Sequence, residues 1–175
     1  LILNNYQNPL SASSSKEELK ALSKLVLKHD LWVLSDDAYY EIRYSKDSPN
    51  SILNFPGMKQ KTVILYTFSK KYAMTGWRIG ASIGPESLIK HMARFNINDE
   101  SCTNHFIQHA LASVLNDSND YGEEIIKKLI KRRNLCLKKL NSIGDLDIST
   151  PESTFYLFPN VSKVMRKKGY DNLEK

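Results

Sequence analysis

The sequence predicts an α/β fold that contains at least one pair of parallel strands. Short runs rich in β-branched and aromatic residues alternate with longer segments in which apolar residues recur at helical spacing. The first two strand-like runs are separated by a helical segment. Such a strand–helix–strand unit brings its strands side by side in parallel through a right-handed crossover.

The N-terminal part of the chain is predicted to form a strand, a helix and a second strand. Residues 1–6 start with an apolar run and end before a turn-forming Asn-Pro pair, which predicts a short buried strand. Ser14 and Glu17 fit a capping box, and apolar residues then repeat at helical spacing, so a helix is predicted at about 14–29. The apolar run 31–35 is the second predicted strand.

A loop, two further strands and a series of helices are predicted after this unit. Residues 45–60 are polar and contain two prolines and a glycine, which predicts a long loop. The runs 62–68 and 79–83 are the next predicted strands. Helical spacing predicts helices at about 85–95, 104–115 and 121–141. A last strand is predicted at 154–158, before a basic helical start, and the polar stretch 116–120 is the candidate domain boundary.

The composition is that of a globular chain with its own core. The chain has 175 residues, of which 41% are hydrophobic and 25% charged, and a formal net charge of +6. The densest basic stretch, 127–133, is interrupted by apolar residues at helical spacing, which favours a solvated helix face over a nucleic-acid site. The apolar runs are too short to span a bilayer, which predicts a soluble protein with no membrane partner.

The cysteines and the chain ends carry two further expectations. Cys102 and Cys136 match no metal or redox spacing, so we expect two reduced thiols of a cytoplasmic protein and no metal site. The chain starts without Met, inside a predicted strand, and ends within what resembles an interrupted element. We therefore expect a fragment of a longer protein.

Three polar residues follow predicted strands and are the candidate site residues: Asn8, Asp36 and Lys70. In open α/β sheets, ligands bind at the edge formed by the carboxyl ends of the strands. An amide, a carboxylate and an amine are therefore predicted to converge on one pocket. This spacing does not identify the ligand.

The local sequence around two of these residues leaves alternatives open. A lysine between a strand end and a pocket can be desolvated, which lowers its pKa and frees the amine for attack. Arg78, eight residues after Lys70, could pair with two oxygens of a phosphate. A surface Lys-Lys pair before a turn at Gly76 remains the alternative. Asp36 could pair with a protonated pyridine nitrogen or act as a local cap.

The run 70–80, Lys-Lys-Tyr-Ala-Met-Thr-Gly-Trp-Arg-Ile-Gly, closely resembles the active-site lysine segment of class I aminotransferases. These are fold-type I enzymes that use pyridoxal 5'-phosphate (PLP). Segments 4–9 and 35–41 resemble the family's Asn-Pro motif and its Ser-Asp-Glu-x-Tyr-Glu segment, in the same order. The resemblance continues through 84–86 and 151–158, and it is to the branch with aspartate and aromatic aminotransferases.

The resemblance implies a fold and a domain organisation. A mostly parallel sheet flanked by helices is expected, as part of a PLP-binding large domain, followed by the start of an α+β small domain. Residues 1–118 would be the C-terminal half of the large domain and 119–175 the start of the small domain. Relatives are homodimers of roughly twice this length, so the residues that stack on PLP and bind the substrate carboxylate are expected outside this chain.

The resemblance also implies roles at the reactive end of the cofactor. Lys70 would hold PLP as a Schiff base and later move the substrate proton. Asp36 would pair with the pyridinium nitrogen, so that the ring can accept electrons. Tyr39 would hydrogen-bond the phenolic oxygen of PLP, with Asn8 beside it. Asp36 is preferred to its neighbour because the family's tyrosine follows its aspartate by three residues.

Three residues are implied at the phosphate. Thr67 would bind it through its hydroxyl and Arg78 through its charge, with Ser69 assisting.

The chain departs from the family's motifs at two places. Where the family has Asn-Pro-Thr-Gly, this chain has Leu10-Ser11 in place of Thr-Gly. Where the family has a later glycine near the substrate entrance, this chain has Ser153.

The implied activity is transamination between an amino acid and a 2-oxo acid. Another fold-type I reaction, such as that of a carbon–sulfur lyase, uses the same lysine, aspartate, tyrosine and arginine and remains an alternative. A non-catalytic regulator built on the same fold is the second. A basic nucleic-acid binder is the third, and the interrupted basic stretch argues against it.

Overall fold

A four-stranded sheet organises the computed structural model, which describes residues 1–45 and 50–170. Its strands are β1 (Ile2–Leu3), β2 (Val33–Asp36), β3 (Thr62–Thr67) and β4 (Gly80–Ile83), and they lie in that order across the sheet. The pairs β1–β2 and β2–β3 are parallel, whereas β3–β4 is antiparallel. The predicted α/β class and the mostly parallel sheet are confirmed.

The helices agree with the sequence pattern. They are α1 (Lys16–Lys28), α2 (Phe68–Lys71), α3 (Glu86–Asp99), α4 (His105–Leu115), α5 (Glu123–Asn141) and α6 (Ser162–Lys167). The short helix α2 was not predicted. The long loop contains two 3₁₀ turns, Ile52–Asn54 and Met58–Gln60, and its residues 46–49 lie outside the described residues. None of the helices in the described ranges combines the length and apolar character needed to cross a membrane.

The first strand is two residues long, not six, because the chain turns away from the sheet at Asn5 and Tyr6. Tyr6 has a φ of 59°, outside the extended region. Its hydroxyl donates to the carbonyl of Asn50 at 3.2 Å, and the amide of Asn5 donates to the same carbonyl at 2.8 Å. Asn5 and Tyr6 are buried, so this turn is a fixed part of the loop that leads to Asn8.

Two apolar clusters hold the elements around the sheet. Helix α1 packs on β2 through a cluster that also includes the 3₁₀ turns of the long loop: Val26, Val33, Ile52 and Met58. The second cluster joins the start of α2, the residue before β4 and helix α4: Phe68, Ile79, Ile107 and Leu111. Full burial of one such side chain contributes about 1.5–3 kcal/mol. The second cluster fixes the turn that carries Lys70.

The strand predicted at 154–158 is wrong. This segment forms no ladder, and next to it Ser153 makes only an isolated bridge with Arg43. Thr154 has a φ of 61°, which interrupts extended backbone at the first residue of the predicted strand. Apolar content alone therefore misassigned a segment whose hydrogen bonds run to distant loops rather than to a neighbouring strand.

The cap of helix α1 lies one residue later than predicted. Ser15, not Ser14, is the N-cap: its hydroxyl accepts from the backbone N–H of Glu18 at 3.1 Å. The carboxylate of Glu18 in turn accepts from the backbone N–H of Ser15 at 2.7 Å. This is a complete capping box.

The substitution Ser15→Ala is expected to lower the free energy of unfolding by about 1 kcal/mol, because one N–H of the first turn loses its acceptor. Ser14→Ala is the matched control, since Ser14 takes part through its backbone groups, which alanine retains. Urea denaturation of both variants is the measurement. Equal effects of the two substitutions would contradict this assignment of the cap.

Candidate active site

The carboxyl ends of two parallel strands place the first site residues together. Asp36 is the last residue of β2 and Thr67 the last residue of β3. The strands are neighbours, and Asp36 pairs in register with Leu65. Helix α2 begins directly after β3 and carries Lys70. Asp36 and Lys70 thus both lie at the carboxyl ends of neighbouring parallel strands.

Asp36 is held by two donors. The side-chain amide of Asn4 donates to Oδ2 at 3.0 Å, and the backbone N–H of Ala38 donates to Oδ1 at 3.2 Å. Asp36 is half-buried, whereas Ser35 on the opposite face of β2 is buried. Asn4 was not singled out from the sequence, although its place just after β1 puts it at the same sheet edge. The carboxylate of Asp36 is thus oriented but still accessible.

Asp37 points to the opposite side. Its side chain is 6% exposed, and the hydroxyl of Ser35 donates to Oδ1 at 2.8 Å. Burial raises the pKa of Asp37 to about 6, against the lowering effect of that hydrogen bond. The geometry therefore separates the two aspartates: Asp36 lies at the accessible edge, and Asp37 lies in the interior.

Asp37 is expected to make stability depend on pH. Its folded pKa of about 6 lies above its ordinary value of 3.8, so the unfolded chain loses the proton first as the pH rises. The folded state is therefore favoured below about pH 4 and loses that advantage between about pH 4 and 6, by about 3 kcal/mol at most. Urea unfolding of wild type and Asp37→Asn at pH 4 and pH 7 measures this. A stability difference between the two proteins that does not change with pH would exclude it.

Lys70 faces two aromatic rings. Its Nζ lies 5.3 Å from the ring centroid of Tyr39 and 5.6 Å from that of Phe155. Among residues 1–45 and 50–170, no carboxylate lies within ion-pairing distance of this amine. The amine therefore sits against aromatic faces rather than in a salt bridge.

The neighbouring lysine has a different environment. Lys71 Nζ lies 3.6 Å from a carboxylate oxygen of Glu41 and 3.4 Å from one of Asp120. Burial alone lowers the pKa of Lys71, but these carboxylates outweigh it, so the pKa lies above its ordinary value. Lys71 is thus a charged structural residue. This contrast supports Lys70 as the reactive lysine of the pair.

Tyr39 links Lys70 to the segment that was mispredicted as a strand. Its side chain is 4% exposed, and its hydroxyl oxygen lies 2.8 Å from that of Tyr156. Its ring meets the ring of Phe155 edge to face at 5.4 Å. Burial raises the pKa of Tyr39, so the phenol keeps its proton at neutral pH. Phe155 and Tyr156 lie in the segment 151–158 that resembles the family, but they were not predicted to be site residues.

The three predicted phosphate ligands lie between the last residue of β3 and the start of β4. The hydroxyl of Thr67 accepts from the backbone N–H of Ser69 at 3.1 Å and caps α2, and Ser69 is buried. Arg78 is exposed, and its guanidinium donates to the carbonyl of Thr75 at 3.1 Å. In the described part of the chain, no hydrogen bond joins Arg78 to Thr67 or Ser69. The structure thus places these residues in one segment but does not bring their side chains into contact.

Asn8 is connected to Asp36 indirectly, by hydrogen bonds that involve Asn4. Asn8 is exposed, and its backbone N–H lies 3.4 Å from Oδ1 of Asn4, whose amide nitrogen contacts Asp36. A cis peptide bond joins Asn8 to Pro9. The side chain of Asn8 makes no hydrogen bond to Tyr39 or Asp36 within the described residues. Asn4 is therefore the amide that contacts the candidate carboxylate directly.

A family model described as aminotransferase class I and II matches residues 1–173 of this chain. The aromatic-amino-acid aminotransferase 2 of Thermococcus litoralis is 37% identical over 163 residues, which cover 92% of this chain and 42% of that protein. The aspartate aminotransferase of Pyrococcus abyssi is 36% identical over 163 residues, with coverage of 92% and 42%. The chain thus spans about two fifths of the length of these relatives.

Solved structures show the same similarity. An aromatic aminotransferase from Pyrococcus horikoshii OT3 superposes with a TM-score of 0.85 at 37% identity, covering 91% of this chain and 43% of that one. An aspartate aminotransferase from Rhizobium meliloti superposes with a TM-score of 0.87 at 36% identity, covering 93% and 41%. The mostly parallel sheet and its helices therefore have the arrangement found in these two enzymes.

Proposed function

Because the chain belongs to the family of class I and II aminotransferases, we propose that the intact protein transfers an amino group from an amino acid to a 2-oxo acid with PLP as its cofactor. The observation that carries the proposal is the environment of Lys70, whose amine faces the rings of Tyr39 and Phe155 without a carboxylate partner in the described residues. An amine in this position is available for a covalent bond to a carbonyl carbon.

The donor set of the site fits PLP. The cofactor has an aldehyde, a pyridine nitrogen, a phenolic oxygen and a phosphate. The amine of Lys70 suits the aldehyde, the accessible carboxylate of Asp36 suits a protonated ring nitrogen, and the buried phenol of Tyr39 suits the phenolic oxygen. Asp36 ends β2, Tyr39 lies in the turn that follows it, and Lys70 is on the helix that follows β3. This match supports the cofactor assignment.

PLP supplies a protonated aromatic ring that accepts the electrons released when a bond at the substrate α-carbon breaks. Lys70 would hold the cofactor covalently and then, as a free amine, take and return the α-proton at its Nζ. Asp36 would keep the proton on the ring nitrogen, and the contact from Asn4 would keep its carboxylate oriented. Tyr39 would donate to the phenolic oxygen, with Asn8 beside it.

The phosphate would be bound by Thr67, Ser69 and Arg78. The two hydroxyls lie at the start of α2, and Arg78 is an exposed cation eight residues after Lys70. A planar guanidinium can bind two phosphate oxygens at once. These assignments require the side chain of Arg78 to release Thr75 and turn toward Thr67.

The same proposal covers the organisation of the intact protein. Residues 1–118 would belong to a PLP-binding large domain and 119–175 to a small domain. The protein would act in the cytoplasm as a homodimer in amino acid biosynthesis. The support for these assignments is the resemblance to full-length relatives.

The reaction is tested with the intact protein, PLP, an aspartate or aromatic amino donor and 2-oxoglutarate. The names of relatives as aspartate and aromatic aminotransferases guide the choice of donors. We expect the donor's keto acid and glutamate in equal amounts. Release of ammonia, with a thiol from a sulfur-containing amino acid, would indicate a carbon–sulfur lyase instead. Bound PLP without turnover of any amino acid would indicate a non-catalytic regulator.

A further inference from the structure

The segment after Thr154 is fixed by a closed ring of hydrogen bonds. The hydroxyl of Ser11 donates to the carbonyl of Tyr156 at 2.8 Å, and the backbone N–H of Tyr156 donates to the hydroxyl of Thr154 at 3.1 Å. The two hydroxyl oxygens are 2.6 Å apart. Each hydroxyl has one proton. Since Ser11 gives its proton to Tyr156, Thr154 must donate to Ser11.

Both the N–H and the carbonyl of Tyr156 take part in this ring of hydrogen bonds. Ser11 and Thr154 are buried, at 2% and 0% exposure, so water does not compete for these hydrogen bonds. Both have left-handed backbone conformations, with φ of 59° and 61°. Ser11 stands where the family's Asn-Pro motif usually has glycine, the residue that such a φ favours. The serine thus contributes a hydroxyl that glycine lacks.

The fixed backbone of Tyr156 places its phenol against that of Tyr39. The two hydroxyl oxygens are 2.8 Å apart, and the two rings meet edge to face at 5.7 Å. A hydrogen bond between two phenols uses one of their two protons. The direction of this bond therefore decides whether Tyr39 has a proton to give to a second acceptor.

We infer that Tyr156 is a positioning residue that donates its hydroxyl proton to Tyr39 and thereby leaves the proton of Tyr39 for the phenolic oxygen of the cofactor. The inference rests on the proposed function, because it needs that cofactor oxygen as the acceptor. Tyr156 acts through Tyr39 and is not assigned a contact with the cofactor. The ring formed with Ser11 and Thr154 keeps its phenol in place.

The test uses the intact protein with PLP bound and follows the visible absorbance of the cofactor during a pH titration. The hydrogen bond that the Tyr39 hydroxyl donates stabilises negative charge on the phenolic oxygen of PLP. That charge is greatest after the Schiff-base nitrogen has lost its proton. Tyr39→Phe should therefore raise the apparent pKa of the absorbance change by about one to two units. Tyr156→Phe should raise it by about half a unit, because Tyr39 donates less strongly without its partner.

A double variant shows whether the two residues act in series. Tyr39→Phe combined with Tyr156→Phe should have the same apparent pKa as Tyr39→Phe alone, since Tyr156 acts only through Tyr39. Additive shifts would overturn the inference. Tyr170→Phe, a change at an exposed tyrosine, is the matched control and should not shift the titration.

The sign of the shift in Tyr156→Phe distinguishes the two directions of the hydrogen bond. If Tyr39 donates to Tyr156, the substitution frees the proton of Tyr39 and lowers the apparent pKa, which would overturn the inference. An unchanged titration would also overturn it and leave Tyr156 a packing residue. Failure of the proposed function is recognised separately in the unmodified protein. After unbound PLP is removed, that protein would then either retain no PLP absorbance or, with PLP bound, form no keto acid from any amino donor.

Discussion

Lys70→Ala in the intact protein is expected to abolish covalent attachment of PLP and to reduce turnover by at least about 10²–10⁴-fold. This factor is the usual contribution of a positioned general acid or base to the reaction rate, and loss of the covalent link to PLP reduces turnover further. No other amine among the described residues is placed over the rings of Tyr39 and Phe155. Steady-state assays and the absorbance of the dialysed protein measure both effects.

Lys71→Ala is the matched control for this prediction. The two lysines are adjacent and on the same short helix, but Lys71 lies between Glu41 and Asp120. Its removal leaves those carboxylates without their cation, so we expect a small loss of stability and an unchanged covalent link to PLP. If Lys71→Ala loses the link while Lys70→Ala retains it, the assignment of the two residues is wrong.

Asp36→Asn is expected to reduce turnover by about 10²–10³-fold while weakening PLP binding much less. The amide keeps the shape of the side chain but removes the negative charge that holds the proton on the ring nitrogen. Loss of one preorganised electrostatic contact typically has an effect of this size. The measurement compares turnover with the dissociation constant of PLP, so that loss of chemistry is separated from loss of cofactor.

Asp37→Asn provides the control for Asp36→Asn. It makes the same chemical change one residue later, on the opposite side of β2, where the side chain bonds Ser35. We expect turnover close to that of wild type and the altered pH dependence of stability described above. A hundredfold loss of turnover in Asp37→Asn with normal activity in Asp36→Asn would exchange the roles of the two residues.

The sequence pattern was sufficient for the parts of the fold with local signals. Apolar runs predicted β2, β3 and β4, and helical spacing predicted α1, α3, α4 and α5, because an element that buries one face has apolar residues at regular spacing in its sequence. The short helix α2 has no such spacing. It is four residues long and is fixed by packing of Phe68 against α4.

The site was predictable only where its residues follow strands or lie in motifs. Asp36 and Lys70 were predicted in this way, and strand alternation explains why the neighbour of Asp36 is buried. Tyr156 was assigned no role, because its hydrogen bond to Tyr39 spans 117 residues and depends on a turn at Thr154. A left-handed threonine has no reliable local sequence signal, so the segment was mispredicted as a strand.

The proposed covalent link between Lys70 and PLP is tested most directly by incubating the intact protein with PLP, reducing it with borohydride and mapping the peptides by mass spectrometry. We expect a phosphopyridoxyl mass on the peptide that contains Lys70, with fragment ions that place it on Lys70 rather than Lys71. A label on Lys71 or on another lysine, or no label at all, would contradict it.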